Sequence, residues 1–279
     1  MLSALENDTR MRHRNPNGAG KPRRSVERVL ASVEEQAAGG RHLKSVPLGG
    51  LGAESGGVQL PRYVFTGPEG GDDAIRIGLF AGLHGDQPEG TFALIRLLLI
   101  LTDQPHLASG YTLFFYPVCN PTGFEANTRL SATGRDLNTE FWGQSKEPEV
   151  LLLQREILGH FFHGLITLET DVSGQGVYGV AGGAALTRHL LKPALEAAGQ
   201  LLPRNQSSLI AGFPARDGII QQASNGALGA PPNARPRPFE ITLTAPKTAP
   251  ETVKEGAVVL ALRSILEEYR RFISYAANL

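Results

Sequence analysis

The chain has 279 residues, 41% of them hydrophobic, which supplies a core for one large domain or two small ones. Its 27 basic and 27 acidic side chains balance, so no global field argues for nucleic acid or an anionic membrane as partner. The single cysteine, Cys119, excludes an internal disulfide framework, and the longest apolar run, Ala93 to Leu101, is interrupted by Arg96 and too short to span a bilayer.

Residues 9–24 (TRMRHRNPNGAGKPRR) are basic and rich in Gly, Pro and Asn, and the N-terminus has no apolar signal-peptide core. Two readings stay open for this stretch: an arm for nucleic acid or a protein partner, and a solvated, poorly ordered tail. The absence of an export signal and of paired cysteines leads to the expectation of a cytoplasmic protein. Ser25 to Ala38 reads as a helix capped by Ser25, with Val26, Val29, Leu30 and Val33 at helical spacing. A boundary is expected after residue 45, separating the basic arm and helix (1–45) from an α/β domain (46–279).

A Gly-rich stretch, 49–57, precedes two predicted strands, Val58–Thr66 and Ile75–Ala81, joined by GPEGGDD. The second strand runs into Gly-Leu-His84-Gly-Asp86-Gln87-Pro-Glu89-Gly. A His with a carboxylate three residues later, on the turn leaving a strand, is a way to hold zinc. Here the third residue on is Gln87, an uncharged amide. Pro88–Leu101 reads as a helix with Pro in its first turn, and Tyr111–Cys119 as a strand ending in a buried thiol. Glu147–Phe162 reads as a helix with an apolar stripe of Val150, Leu153, Ile157, Leu158 and Phe161. Leu165–Leu168 reads as a short buried strand, Ala184–Ala198 as a helix, Phe239–Leu243 as a strand and Pro250–Phe272 as the last helix. The Gly/Pro-rich stretch 212–238 is expected to be a long loop, either a lid or a surface excursion.

Strands alternating with helices predict a three-layer α/β/α sandwich, a mixed but mainly parallel sheet with helices on both faces. Sites in such folds lie at the carboxyl ends of the strands. His84, Asn120, Glu169 and Thr244 each follow a strand-like run and are expected to converge there.

Taken in order, AGLHGDQPEG, YPVCNPTGFEANTR, GRDLNTEFWG, LETDVSGQGVYG and PFEITLTAP resemble the zinc carboxypeptidase superfamily, close to its succinylglutamate desuccinylase/aspartoacylase branch. The resemblance spans roughly residues 58–272. It implies one catalytic zinc held by two His and one Glu, an Arg that polarises the scissile carbonyl, and a late Glu that serves as general base. Zinc lowers the pKa of its water to about 7, a carboxylate takes the proton, and the Arg meets the developing oxyanion.

Carried over by this resemblance, His84 matches the first ligand and Gln87 the carboxylate ligand, while Glu169 stands where the second His is usual. His84, Gln87 and Glu169 together carry the family set's formal charge, so weak zinc binding, or Mn or Mg instead, is compatible with them. Asp86 and Asp171 match acidic neighbours of ligands. Arg129 matches the polarising Arg, and Asn138 the Asn of a DLNR-like run whose Arg is here Thr139. A hydroxyl cannot replace a bidentate guanidinium; Arg135 is the nearby candidate to share that role. Thr244 stands at the general-base position and cannot act as a base near neutrality. Glu240, four residues earlier on the same strand face, is roughly 13 Å away and too far to substitute. His160 and His163 are expected at a helix C-terminus, away from the site.

Two functions follow as expectations. One is an impaired or noncatalytic member of the family, a pseudoenzyme that binds a small molecule or a peptide end. The other is an active metal-dependent amide hydrolase, with an N-acyl amino acid or small peptide as substrate and Glu169 or Asp171 as base. The oligomeric state is left open by the sequence.

Overall fold

The computed structural model describes residues 23–49, 57–70, 74–172, 174–221, 228–231 and 233–276. The expectations for residues 1–22, and for most of the Gly-rich stretch 49–57, lie outside the described residues.

In chain order, α1 (Val26–Gly39) is followed by β1 (Leu43–Ser45), β2 (Leu48–Gly49), β3 (Gln59–Leu60), β4 (Tyr63–Thr66), β5 (Ile75–Phe80), α2 (Glu89–Asp103) and β6 (Tyr111–Tyr116). Next come α3 (Pro121–Ala126), α4 (Pro148–Gly159), β7 (Gly164–Asp171), β8 (Tyr178–Ala181), α5 (Ala184–Leu186) and α6 (Lys192–Ala198). The chain continues through β9 (Leu209–Ile210), β10 (Phe213–Arg216), β11 (Ile219–Ile220), β12 (Phe239–Pro246) and α7 (Glu251–Ala276). Ten strands form one sheet in the order β1-β4-β6-β5-β7-β12-β8-β11-β10-β9, and β2 pairs with β3 apart from it. The central four, β6, β5, β7 and β12, are mutually parallel, whereas β1, β4, β9 and β10 flank them with antiparallel pairings.

This is the expected α/β architecture. One core layer packs Leu94, Leu97 and Leu98 of α2 and Leu262 and Ile265 of α7 against Ile77, Leu79, Ile166 and Leu243 of the sheet. The other face packs Val150, Leu153 and Ile157 of α4 against Phe80, Tyr116 and Leu165. Central strands covered on both faces read as nearly continuous apolar runs, which is why their positions were legible. Leu30 and Val33 of α1 lie within the first layer, and Ser25 caps this helix by accepting from the Arg28 N–H at 3.2 Å.

Several boundaries differ from expectation for identifiable reasons. The first predicted strand is divided at Pro61, which has no N–H for the ladder. The Tyr111–Cys119 strand stops before Pro117. The helix expected to end at Phe162 stops at Gly159, and Phe161, placed in its apolar stripe, is 65% exposed with φ at 49°. Thr187–Leu191 forms a π turn that joins α5 to α6. Part of the stretch expected to be loop, 212–238, forms the β10–β11 hairpin, turning through Asp217 and Gly218 at positive φ. Residues 222–227 and 232 of that stretch lie outside the described residues.

Candidate functional site

The site is built on the turn that leaves β5. Gly82 takes a φ of 68°, turning the chain away from the sheet. A Cβ on Gly85 would lie 2.0 Å from the Gly123 carbonyl carbon, so the His84 turn and the Asn-Pro-Thr-Gly turn touch backbone to backbone. Asn120, expected at the site, joins these turns instead. Its side chain accepts from the Gly123 N–H at 2.9 Å, donates to the Leu83 carbonyl at 3.2 Å, and caps α3.

His84 is buried and faces an oxygen at each ring nitrogen. Nε2 lies 3.0 Å from Asp136 Oδ1, and Nδ1 lies 3.4 Å from Gln87 Oε1. The Gln87 amide orientation is fixed by a neighbour that can only donate: the Thr170 N–H reaches Oε1 at 3.2 Å. Asp136 Oδ2 accepts from Arg129 Nε at 3.0 Å. Burial alone would raise the Asp136 carboxyl, but His84 and Arg129 hold it below the usual carboxylate range. Asn138 Nδ2 donates to Glu169 Oε1 at 3.3 Å and lies 3.3 Å from His84 Nε2. The carboxylate requires a donor, so the Asn138 oxygen points elsewhere. That Oδ1 is buried with no hydrogen-bond partner among the described residues.

Glu169 and Thr244 are register partners on β7 and β12, and Thr244 pairs in turn with Tyr178 on β8. These three residues form one row across the strand ends, with Thr244 and Tyr178 buried. Tyr178 donates to Asp171 Oδ2 at 3.2 Å. Burial pushes its phenol above the ordinary range, Asp171 adds to this, and the Thr244 hydroxyl offsets part of it. Behind the row, Glu89 accepts from Lys254 at 3.1 Å and from the Thr170 hydroxyl at 3.0 Å.

His84, Gln87, Asn138 and Glu169 thus come together, with Thr244 beside Glu169 and Arg129 reached through Asp136. Two candidates for substrate binding turn away. Arg135 is 66% exposed and lies 3.8 Å from Glu140, and the Thr139 hydroxyl donates to the Asp136 carbonyl at 2.9 Å. Asp86 is half-buried in the His84 turn, one of its oxygens buried without a partner among the described residues. His160 and His163 lie elsewhere, as expected: His160 Nε2 meets Glu156 at 3.1 Å, and His163 Nδ1 accepts from the Arg76 N–H at 3.0 Å. Glu240 accepts from the Ala230 N–H and Arg237. Cys119 is fully buried, which pushes its thiol up to about 12. Residue-type reasoning missed Asp136, Thr170 and Tyr178. All three lie inside the quoted motifs, but the contacts that bring Asp136 and Thr170 to the His84 turn span 52 and 83 residues of chain and leave no local signal.

The donor set fits a tightly held zinc poorly. One imidazole, one neutral amide oxygen and one carboxylate would have to serve, whereas structural and catalytic zinc sites draw on several nitrogens or thiolates. The amide oxygen is turned to the Thr170 N–H and His84, and Glu169 to Asn138. Among the described residues, no group of three or more His, Cys, Asp or Glu is placed to share a metal ion. No helix among them is long and apolar enough to cross a membrane.

Residues 73–166 match the model of the succinylglutamate desuccinylase/aspartoacylase catalytic domain, a stretch holding β5, the His84 turn, Arg129, Asp136, Asn138 and α4. The resemblance read from the motifs is therefore borne out. Solved structures share the fold over more of the chain. A candidate metallopeptidase from Shewanella denitrificans is 20% identical, with 86% of this chain and 87% of that one covered and a TM-score of 0.68. A metallo-carboxypeptidase from Burkholderia cenocepacia is 17% identical, with 90% and 70% covered and a TM-score of 0.69. A metallo-carboxypeptidase from Pseudomonas aeruginosa, in complex with (2-guanidinoethylmercapto)succinic acid, is 20% identical, with 89% and 70% covered and a TM-score of 0.67. At such identities the likeness shows the fold. No curated protein matches the sequence significantly.

Proposed function

We propose that this chain keeps the zinc carboxypeptidase-like fold as a binding protein for a small amide or a peptide end, with hydrolysis impaired or lost. The observation that carries this reading is the bonding of Gln87. Its oxygen meets the Thr170 N–H and His84, so the position that resemblance assigns to a carboxylate ligand is held by an amide oxygen already engaged by two groups of the protein. Thr244, where a base is usual, supports it: the hydroxyl is buried beside Tyr178 and cannot take a proton near neutrality. Loss of a general base alone costs roughly 10²–10⁴-fold in rate. An amide still finds a partner here: Arg129, 49% exposed, offers a donor for its carbonyl.

A second reading, an active amide hydrolase using Glu169 or Asp171 as base, is favoured by the Asn138–Glu169 contact, which holds a half-buried carboxylate next to His84. One experiment separates the two. Metal content is measured after purification without chelators and after titration with zinc and manganese, alongside an amidase assay. The proposed outcome is no stoichiometric metal and no turnover in the natural protein, with both gained in the triple variant Gln87→Glu, Glu169→His, Thr244→Glu. One equivalent of metal lost on His84→Ala, together with amide turnover by the natural protein, would establish the hydrolase instead.

A further inference from the structure

Arg24 precedes Ser25, the cap of α1, and lies outside the 73–166 stretch matched by the family model. Its side chain is half-buried among backbone oxygens. Nη1 donates to the Gly85 carbonyl at 2.7 Å and reaches the Phe124 carbonyl at 3.4 Å. Nη2 donates to the Asn127 side chain, whose oxygen must face it because a guanidinium can only donate. The guanidinium carbon sits 4.9 Å from the centroid of the buried Phe124 ring, and the Arg24 N–H donates to the Glu125 carbonyl at 3.0 Å. Leu30 and Val33 hold α1 in the core, so this anchor starts from a fixed point.

The partners of Arg24 belong to the two segments that carry His84 and Arg129. Gly85 follows His84 directly. Asn127 ends α3 with φ at 55° and lies two residues before Arg129. Asp136 joins the same two segments a second time: Oδ1 lies 3.0 Å from His84 Nε2, and Oδ2 accepts from Arg129 Nε at 3.0 Å. The contacts close a ring that runs Arg24–Gly85–His84–Asp136–Arg129–Asn127. A carboxylate bonded to two side chains sets their separation only while the backbones behind them stay in place. A planar guanidinium that bonds both segments at once supplies that restraint. Burial lowers the Arg24 pKa, and the carboxylates of Glu89, Asp86 and Glu251 offset part of this.

We propose that Arg24 is a positioning residue for the candidate site: it locks the His84 turn to the segment between α3 and Arg129, so that Asp136 can hold His84 and Arg129 together. The chain before the matched stretch is thereby a working part of the site as well as a brace for the fold. The proposal goes beyond the binding reading and holds whether the site binds or hydrolyses.

The test is NMR of the full chain, reading the His84 ring signals and the hydrogen exchange of the Arg129 Nε–H, with thermal unfolding measured alongside. Spectra of His84→Gln and Arg129→Lys assign the signals. Arg24→Ala is expected to shift the His84 signals and to speed exchange of the Arg129 Nε–H about tenfold, the scale of one hydrogen bond. The His163 ring, which accepts from the Arg76 N–H at 3.0 Å, stays unmoved. Asn127→Gly removes only the contact to the Arg129 segment, and glycine takes the positive φ there without strain. It should speed Arg129 exchange and move His84 less than Arg24→Ala does. Arg24→Lys keeps the charge but cannot bridge Gly85 and Asn127 together, so it restores thermal stability more than it restores the two signals. Arg28→Ala, which removes an exposed cation from the same helix, changes neither signal. If Arg24→Ala does not fold, Arg24→Lys and Asn127→Gly decide the question. Natural His84 and Arg129 signals in both of those variants, lowered thermal stability with the two signals unmoved, or equal changes in Arg28→Ala would overturn the proposal.

Discussion

Asp136 gives one oxygen to His84 and the other to Arg129, each at 3.0 Å. The carboxylate orients the imidazole and holds the guanidinium over the site, as a carboxylate behind a ligand His does in metal centres. Its carboxyl is held below the usual range, so the stability it confers is present above the unfolded-state pKa and is lost as pH falls through the lower folded value. Asp136→Asn should therefore cost about 1–2 kcal/mol at neutral pH. The difference from the natural protein should shrink on acidification, which denaturant titrations at several pH values would reveal. If the cost were the same at every pH, the charge of Asp136 would not be its source. At this scale the sequence was legible where chemistry is local. The spacing from His84 to Gln87 and the position of Thr244 could be read directly. The Thr170 N–H that fixes Gln87 lies 83 residues away and is a backbone group, so no residue type marks it.

The ends of three elements are tied together by a buried ion pair. Glu89 opens α2, Lys254 lies in the first turn of α7, and Thr170 is near the end of β7. Their contacts are 3.1 Å and 3.0 Å, with the two charged side chains only 8% and 7% exposed, and Lys254 also donates to the Lys247 carbonyl at 3.2 Å. The pair holds Thr170, and through it Gln87, in place. Lys254→Met leaves a buried carboxylate without its partner and should destabilise by about 3–5 kcal/mol, whereas the double variant Glu89→Leu, Lys254→Met should recover most of that loss. Thermal and urea unfolding of the three proteins measure this; a double variant as unstable as the single one would show that the Thr170 and Lys247 contacts, not the unpaired charge, dominate. The helices α1, α2 and α7, with their apolar faces at helical spacing, and the strands β5 and β7, nearly continuous apolar runs, were readable from the pattern. The β10–β11 hairpin was not, because Gly, Pro and exposed positions mask its alternation: Phe213, Pro214 and Arg216 all face solvent. The pairing of Glu89 with Lys254 spans 165 residues and was likewise invisible.

Over the whole molecule, acid stability depends on how buried carboxylates bind α4 to the sheet. Glu156 Oε2 accepts from Arg62 at 2.6 Å, from the Tyr116 hydroxyl at 2.7 Å, and lies 3.1 Å from His160 Nε2. Burial alone would raise this carboxyl; His160, Tyr116 and Arg62 outweigh it and hold it at about 2, against an ordinary 4.5. A depressed folded pKa means that Glu156 stabilises the fold fully above pH 4.5 and loses that contribution as pH falls from 4.5 toward 2. Glu149, at the start of the same helix, acts in the opposite sense. Burial raises its carboxyl, so it costs stability near neutrality and returns it on acidification. The Glu156 network has the larger shift and joins α4 to the end of β6 and to the residue before β4, so it should dominate the acid limb. Glu156→Gln is expected to lower stability at pH 7 by on the order of 2–3 kcal/mol and to flatten the stability curve between pH 4.5 and 2. Natural protein and variant should converge below that window. Glu149→Gln should do the reverse, raising stability at pH 7 and losing its advantage in acid. Chemical denaturation at half-unit pH steps reads both curves, and parallel curves for natural protein and Glu156→Gln across the window would place the acid sensitivity elsewhere, with the Asp136 pair beside His84 the next carboxylate to test.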